Sequence, residues 1–377
     1  MTHYINMKKI FLTTHFIFGL LCSVLAQVDN FHIHGVIRDQ TTKEPVPFAN
    51  IIISNSTRGT AANTKGEFDL VTKQSDLKES LKISSIGFIS KAVIIDSIRN
   101  TKQLVIELQS DIKLLKEIEV IQRQISPIEI IKAAIDSVST NYRSAPFNLE
   151  FYSEMIASNF VTNQEFKVES ILLGYYRGYA NNTDKKFEIL KKRANGDNPL
   201  KAMDYPFWPT LEIHRADLLA DPYKTGVLNE KYLDKFEYKY LGVLTYDTDT
   251  IYHIEYSAPK PTKKITGYGI VPKTYKGAIY ITTSSNAIVR HDIETDLFSY
   301  SIIYTKIKDS YFPYFISGER RLKGENIFSK VYNMIRLTNV ELENITIIDD
   351  MTNEFQNLSQ LPDDKEYWDL NYPVVKE

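Results

Sequence analysis

From Phe31 onward, apolar and polar positions alternate in short runs broken by turn residues. Phe31, Ile33, Gly35 and Ile37 alternate with His32, His34, Val36 and Arg38, the period-two pattern of a half-buried strand. A polar loop from Asp39 to Glu44 leads through Pro45, Val46, Pro47 and Phe48 into the apolar run Ala49 to Ser54. The tetrapeptide Asn63, Thr64, Lys65, Gly66 supplies the positive φ of a tight hairpin, and Phe68 and Leu70 resume the alternation. Leu81, Ile83 and Ser85 precede Gly87 and Phe88, and the runs Ala92 to Ile95 and Leu104 to Leu108 close the series. About seven strands in so short a stretch predict a Greek-key β-sandwich.

The period then changes. Ser126, Pro127, Ile128 and Glu129 form a capping-box signature with proline at the first helical position. Ile128, Ile131, Ile135 and Val138 fall on one face, which predicts a single amphipathic helix from Pro127 to Asn141, a connector packed on the sheet that follows. From Leu149 the composition turns to Tyr, Phe, Ile and Thr in alternating runs: 166–176, 235–241, 251–256, 277–283, 287–293, 301–307, 314–321 and 327–337. Short connections between them predict an antiparallel meander. The fold class expected is therefore mainly β: an N-terminal Greek-key sandwich, one linking helix, then a curved antiparallel sheet, an α+β arrangement that extends to a half-barrel.

Residues 1–26 carry Lys8 and Lys9, a mostly apolar run from Ile10 to Leu25, and Ala26 before Gln27, the pattern of a cleaved signal peptide. The only cysteine, Cys22, lies inside this run behind the bulky Leu21, so cleavage at Gln27 is expected rather than lipidation at Cys22. The expected division is 1–26 signal peptide, 27–110 sandwich, 111–145 linker and helix, and 146–377 antiparallel β domain. The mature chain would hold no cysteine, which removes disulfides, thiolate nucleophiles and cysteine-ligated metals. Loss of Lys8 and Lys9 moves the formal charge from −2 to −4, a balance that argues against nucleic acid. No later stretch reaches the ~18 consecutive apolar residues of a membrane helix, so no transmembrane helix is expected in the mature chain.

Gly35, Val36, Asp39, Pro45, Val46, Ala49, Asn50, Ile51, Gly59, Thr60, Asn63, Gly66, Phe68, Ile83, Gly87 and Phe88 together resemble the carboxypeptidase-regulatory-like (prealbumin-like) module of Gram-negative envelope proteins. That resemblance implies an accessory domain without catalysis of its own. Leu115 to Ile121 is similar to the segment that joins such a module to the plug and barrel of TonB-dependent outer-membrane receptors; the residues that follow are too few for such a barrel, which leaves a linker or additional strand. Tyr275, Gly277, Ile279 to Ile281, Ala287, Ile288, Asp309, Tyr311 to Pro313, and before them Ser126, Pro127, Ile130, Ala133 to Tyr142, Pro146, Tyr152 and Glu154, resemble an uncharacterised domain that follows regulatory-like modules, and the sheet is similar to periplasmic lipoprotein-carrier half-barrels.

Catalytic chemistry finds little footing. The only H-x-x-E string, His291 to Glu294, lies in a strand, where residues three apart point to opposite faces. His214 with Asp217 is no better placed, and His32 with His34 could share a strand face but lacks a nearby acidic partner. Asp247 and Asp249 read as a solvated turn, because a calcium site needs about six or more oxygens. No G-x-S-x-G elbow, P-loop or dinucleotide motif is present. No metal and no cofactor is expected, and the chain is not expected to be an enzyme.

Candidate binding residues are aromatic. Tyr205, Phe207 and Trp208, flanked by Pro206 and Pro209, could stack on a sugar ring, cover an apolar groove, or fold down as a plug at the end of the sheet. Arg177, beside Tyr175, Tyr176 and Tyr179, is a candidate for an acidic ligand or a plain strand-end cation. These features predict an exported protein of the periplasm, outer membrane or cell surface, which binds an envelope protein or surface polymer. The alternative is a carrier of a hydrophobic ligand on the concave face of the second sheet, and behind it a hydrolase with an unfamiliar site.

Overall fold

The structure, a computed structural model, describes residues 30–56, 58–63, 65–101, 104–110, 126–159, 161–179, 185–195, 209–220, 225–246, 249–266, 271–324, 327–348, 364, 365, 367 and 368. Seven strands build the first module: β1 (Asn30–Asp39), β2 (Asn50–Ile53), β3 (Gly59–Ala61), β4 (Glu67–Lys73), β5 (Ser80–Ser84), β6 (Lys91–Ile94) and β7 (Leu104–Leu108). They form two sheets, β4-β1-β7 and β3-β2-β5-β6, with β7 parallel to β1 and the other pairings antiparallel. Alternate side chains from both sheets, among them Ile37, Ile51, Ile53, Leu81, Ile83 and Leu108, fill the space between them and are fully buried. The predicted hairpin forms as its residues require: Gly66 takes φ +75°, and the Asn63 side chain accepts hydrogen bonds from the backbone N–H groups of Lys65 (2.8 Å) and Glu67 (3.0 Å).

The helix predicted over 127–141 is broken. Helix α1 runs Pro127–Asp136, its N-cap Ser126 accepting from the Glu129 N–H, and a separate turn spans Val138–Asn141. Ser137 interrupts it at φ −86°, ψ 1°, and the second piece turns so that Tyr142 reaches into the core.

Ten strands make the second module: β8 (Phe147–Asn159), β9 (Gln164–Tyr176), β10 (Lys185–Asn195), β11 (Glu237–Tyr246), β12 (Asp249–Ser257), β13 (Tyr275–Thr282), β14 (Ile288–Thr295), β15 (Phe298–Ile307), β16 (Ser310–Gly324) and β17 (Ile327–Glu341). They form one antiparallel sheet in the order β10-β9-β8-β17-β16-β15-β14-β13-β12-β11. The sheet is curved and unclosed, with β10 and β11 at its edges. The first and last strands of this module, β8 and β17, pair inside the sheet as its third and fourth strands.

Both faces of this sheet are covered, and the strand periodicity shows how. On β8 and β9, Phe151 and Leu172 point to one side, and their neighbours Tyr152 and Ile171 to the other. The first side packs helix α1, a second helix α2 (Pro209–Ala216) and short turns including Leu218–Ala220 and Glu230–Lys235. The other side carries the β-sandwich over β15 to β17, and over β8 to β10 it carries residues 364, 365, 367 and 368. There Trp368 is buried on Tyr152 and Ile171, its indole N–H donates to the Lys192 carbonyl (2.9 Å), and the Arg193 guanidinium lies 4.8 Å from its ring centre.

Candidate functional site

The two modules are joined through Tyr314. Opposite Ile303 and Tyr304, β16 carries one extra residue, a β-bulge beside Pro313, whose missing N–H makes a regular ladder impossible at that point. The bulge aims Tyr314 at the sandwich, where its hydroxyl lies 2.5 Å from the Thr60 carbonyl and 3.1 Å from that of Ile51. Gly59 makes room: a β-carbon there would sit 2.7 Å from the same hydroxyl and 2.5 Å from the Ile51 oxygen. Arg336, on the adjacent strand, donates to the Thr60 hydroxyl (2.5 Å) and the Asp69 carbonyl (3.3 Å), and its guanidinium stacks over Tyr152 at 4.4 Å. Asn50 to Thr305 (3.4 Å) and Gly87 N–H to the Thr245 carbonyl (2.9 Å) complete the contact.

Beside this junction lies a cleft of about 480 Å³, bounded by Phe48 from the sandwich and by the face of β14 to β17 that the sandwich only partly covers. Phe48 takes φ +60°, a left-handed conformation that costs a bulky residue roughly 1–2 kcal/mol. Its ring rests on Phe315 with centroids 5.4 Å apart. The floor is polar. Asp292 accepts from the Arg290 guanidinium (2.9 Å) and the Ser301 hydroxyl (2.6 Å), and Glu319 pairs with Lys330 (2.8 Å) and Arg321 (3.4 Å). Asp296 accepts from the backbone N–H groups of Lys273 (2.8 Å) and Thr274 (3.3 Å). Tyr332 also lines the cleft; its hydroxyl is buried without a hydrogen-bond partner, and burial with the nearby Glu154 and Glu319 pushes its pKa up to about 12. It therefore stays protonated at neutral pH and keeps a proton to donate.

The helix-side face is occupied by the protein's own side chains. Asp217, fully buried after α2, accepts from Tyr304 (2.7 Å) and Tyr179 (3.3 Å) and lies 3.7 Å from the ammonium of the equally buried Lys185. Burial and the Asp217 charge hold both tyrosines well above the ordinary tyrosine range, so they act as donors. Nearby, the Arg320 guanidinium on β16 meets Glu212 of α2 at 2.6 Å. Burial raises the Glu212 pKa despite that partner. These ties bind the helices to the strands.

The sequence-predicted residues fare differently. Tyr205, Phe207 and Trp208 lie outside the described residues. Arg177 is exposed beyond the end of β9 and is not among the residues lining the cleft. His291 and Glu294 do point to opposite faces: His291 is buried against Tyr256 (2.9 Å), whereas Glu294 pairs with Lys276 (3.2 Å). His214 packs edge-on against Phe187 while Asp217 serves the tyrosines. Asp249 is held by the Ser284 hydroxyl, and Asp247 lies outside the described residues. One reading needs correction. His32 and His34 do have an acidic partner: Asp69 on β4, opposite His34 in the ladder, lies 3.1 Å from His32 Nδ1 and 2.8 Å from His34 Nδ1. The cleft residues gave no sequence signal, because Arg290, Asp292, Ser301, Glu319 and Tyr332 read as the solvent face of ordinary strands, and only the docked sandwich makes a cleft of them.

Comparison with known proteins agrees with the first module. Residues 33–120 match the CarboxypepD_reg-like domain family. The chain is 30% identical over 103 residues to the TonB-dependent receptor SusC of Bacteroides thetaiotaomicron, a match that covers 27% of this chain and 9% of the receptor. The chain thus spans less than a tenth of the length of that curated relative. Among solved structures, a LolA superfamily protein from Nitrosomonas europaea aligns over 58% of this chain and 94% of its own, with 12% identity and a TM-score of 0.28. A DUF1329 family protein from Desulfovibrio piger aligns over 63% of this chain and all of its own, with 13% identity and a TM-score of 0.28.

Proposed function

We propose that this protein is a noncatalytic binding protein of the cell envelope, and that it holds a polar partner, a segment of an envelope protein or a surface polymer, in the cleft between its two β modules. The observation that carries this reading is the chemistry of the cleft wall. Each carboxylate there is engaged by a cation, a hydroxyl or backbone N–H groups, an arrangement suited to holding a ligand rather than moving protons. The four carboxylates of the wall, Asp292, Glu294, Asp296 and Glu319, are balanced by Arg290 and Arg321 only together with the neighbouring Lys276 and Lys330, and the wall offers hydroxyls from Ser299, Ser301, Ser317 and Tyr332 beside the Phe48 ring. Aligned polar groups next to an aromatic face suit a neutral hydrogen-bonding ligand. Export and residence in the periplasm or at the outer membrane belong to the same proposal, supported by the leader-like residues 1–26 and by the 103-residue likeness to a TonB-dependent receptor.

A hydrophobic-ligand carrier would use the helix side of the sheet. In the described residues that side is filled by packed aromatic and aliphatic side chains around the buried Lys185 and Asp217, which favours the cleft as the place of binding. The test fills the cleft. The variant Ser299→Trp and the wild type are used to capture material from envelope extracts, with mass spectrometry of proteins, glycans and lipids. Loss of a captured protein or polymer in the variant, with an unchanged Tm, is the expected result. A lipid recovered equally with both proteins, and no other difference between them, would transfer the reading to the carrier.

A further inference from the structure

We propose that His32, His34 and Asp69 form a binding site for a divalent transition-metal ion of the zinc class, on the outer face of the sandwich and separate from the cleft. The placement follows from strand geometry. His32 and His34 are two residues apart on β1 and so project from the same face, and Asp69 stands directly across the ladder from His34 on β4. The imidazoles are stacked, 5.6 Å between centroids and 14° between planes, with the carboxylate reaching both Nδ1 atoms at 3.1 and 2.8 Å. One potential ligand atom from each residue lies within 4.8 Å of the others. Ligands about 2.0–2.2 Å from a tetrahedral ion stand ~3.3–3.6 Å from one another, so small side-chain rotations suffice to receive one.

The donor set selects the ion. Two imidazoles and one carboxylate suit Zn²⁺, Cu²⁺ or Ni²⁺, whereas Ca²⁺ takes about 6–8 oxygens. The frame is rigid where it matters: β1 and β4 pair continuously from Asn30–Lys73 to Val36–Glu67. Arg336 of the second module donates to the Asp69 carbonyl and holds that strand from behind. The side chains of His34 and Asp69 are 45% and 36% exposed, which leaves the remaining coordination positions open to water or to a ligand from a partner. Sequence reading missed the third ligand because it lies 37 residues away from His32, and only the antiparallel register brings it across.

The experiment uses the tag-free full chain at pH 7.5 and competition against a chromophoric zinc indicator. One Zn²⁺ per chain is expected, with affinity reduced at least ~10-fold in His34→Ala and in Asp69→Asn, since each removes one of only three protein ligands. His253→Ala, whose ring stacks on Tyr280 in the second module, should bind as the wild type does. Zinc should also raise the Tm of the wild type and not of the two ligand variants, because an ion that binds only the folded state stabilises it. Absence of saturable binding would overturn the proposal, as would wild-type affinity in His34→Ala and Asp69→Asn. Circular dichroism of these surface variants separates a lost ligand from a lost fold.

Discussion

At His291 the chain buries an imidazole that satisfies one nitrogen and leaves the other bare. Tyr256 lies 2.9 Å from Nε2 and 3.2 Å from the Asp292 carbonyl. The arrangement closes if the tyrosine donates to that carbonyl and accepts from Nε2–H, leaving Nδ1 as an unprotonated acceptor among apolar neighbours. Burial lowers this pKa to about 4, against a slight opposing pull from Asp292. In the unfolded chain the same group titrates near ~6.5. The unfolded state therefore takes up a proton first, and the stabilising contribution is complete above ~6.5 and lost as pH falls toward 4. The loss amounts to ~3 kcal/mol. Urea unfolding at steps between pH 7.5 and 4.5 should show it, with the slope flattened in His291→Asn; equal slopes in both proteins would assign the acid sensitivity to other groups. His253, also lowered by burial, adds in the same direction. At this scale sequence reading is strong on which face a residue takes and weak on what stands opposite. Period-two alternation separates His291 from Glu294, but it does not place Asp69 beside His34 or Thr60 beneath Tyr314.

Among the elements, most Tyr- and Ile-rich strands were legible to within a few residues, β8 (Phe147–Asn159) being the exception: the run 166–176 becomes Gln164–Tyr176, and 327–337 becomes Ile327–Glu341. Strand β10 was not, because Lys185, Lys186, Lys191, Lys192 and Arg193 give it the composition of a solvated loop. Those cations are used: Lys185 pairs with Asp217, Arg193 with Glu169 at 2.8 Å, and Lys191 with Asp364. Helix α2 was hidden by its mixed character, since Glu212 turns inward to meet Arg320. The short turn holding Tyr367 and Trp368 likewise has too little chain to show a period. Yet Trp368 is only 1% exposed, and truncating a buried tryptophan typically costs ~3–5 kcal/mol. Trp368→Ala should lower the Tm and speed hydrogen exchange along β10. An unchanged Tm together with unchanged exchange would show that Tyr367 and Trp368 rest on the sheet without supporting it.

For the whole molecule, the proposed division between sandwich and sheet falls in residues 111–125, outside the described residues. Across the junction the two modules share Tyr314, Arg336, Asn50 and the Gly87–Thr245 bond, and Ala61 of the sandwich joins the core of the sheet. A protease site introduced into 111–125 and cut should therefore give two fragments that co-elute on gel filtration. Tyr314→Phe should loosen them, since it strips a donor from two buried carbonyls at ~1–3 kcal/mol. Free separation of the wild-type fragments would mean that the covalent link alone keeps the modules together.

The pairing of β8 with β17 governs the order in which such a chain can assemble. Leu149 meets Val340 and Asn159 meets Ser329, so this seam inside the sheet closes only when nearly the whole second module is available. Until then β8 to β10 and β11 to β16 form two partial sheets, each presenting an unpaired strand to the solvent. Contacts this distant in sequence make folding slow, on the millisecond-to-second side of single-domain kinetics, and leave those strands open to pairing with other chains. A nascent or truncated chain ending before residue 327 would thus be the sticky species, and the rate at which β17 arrives would set how long it lasts.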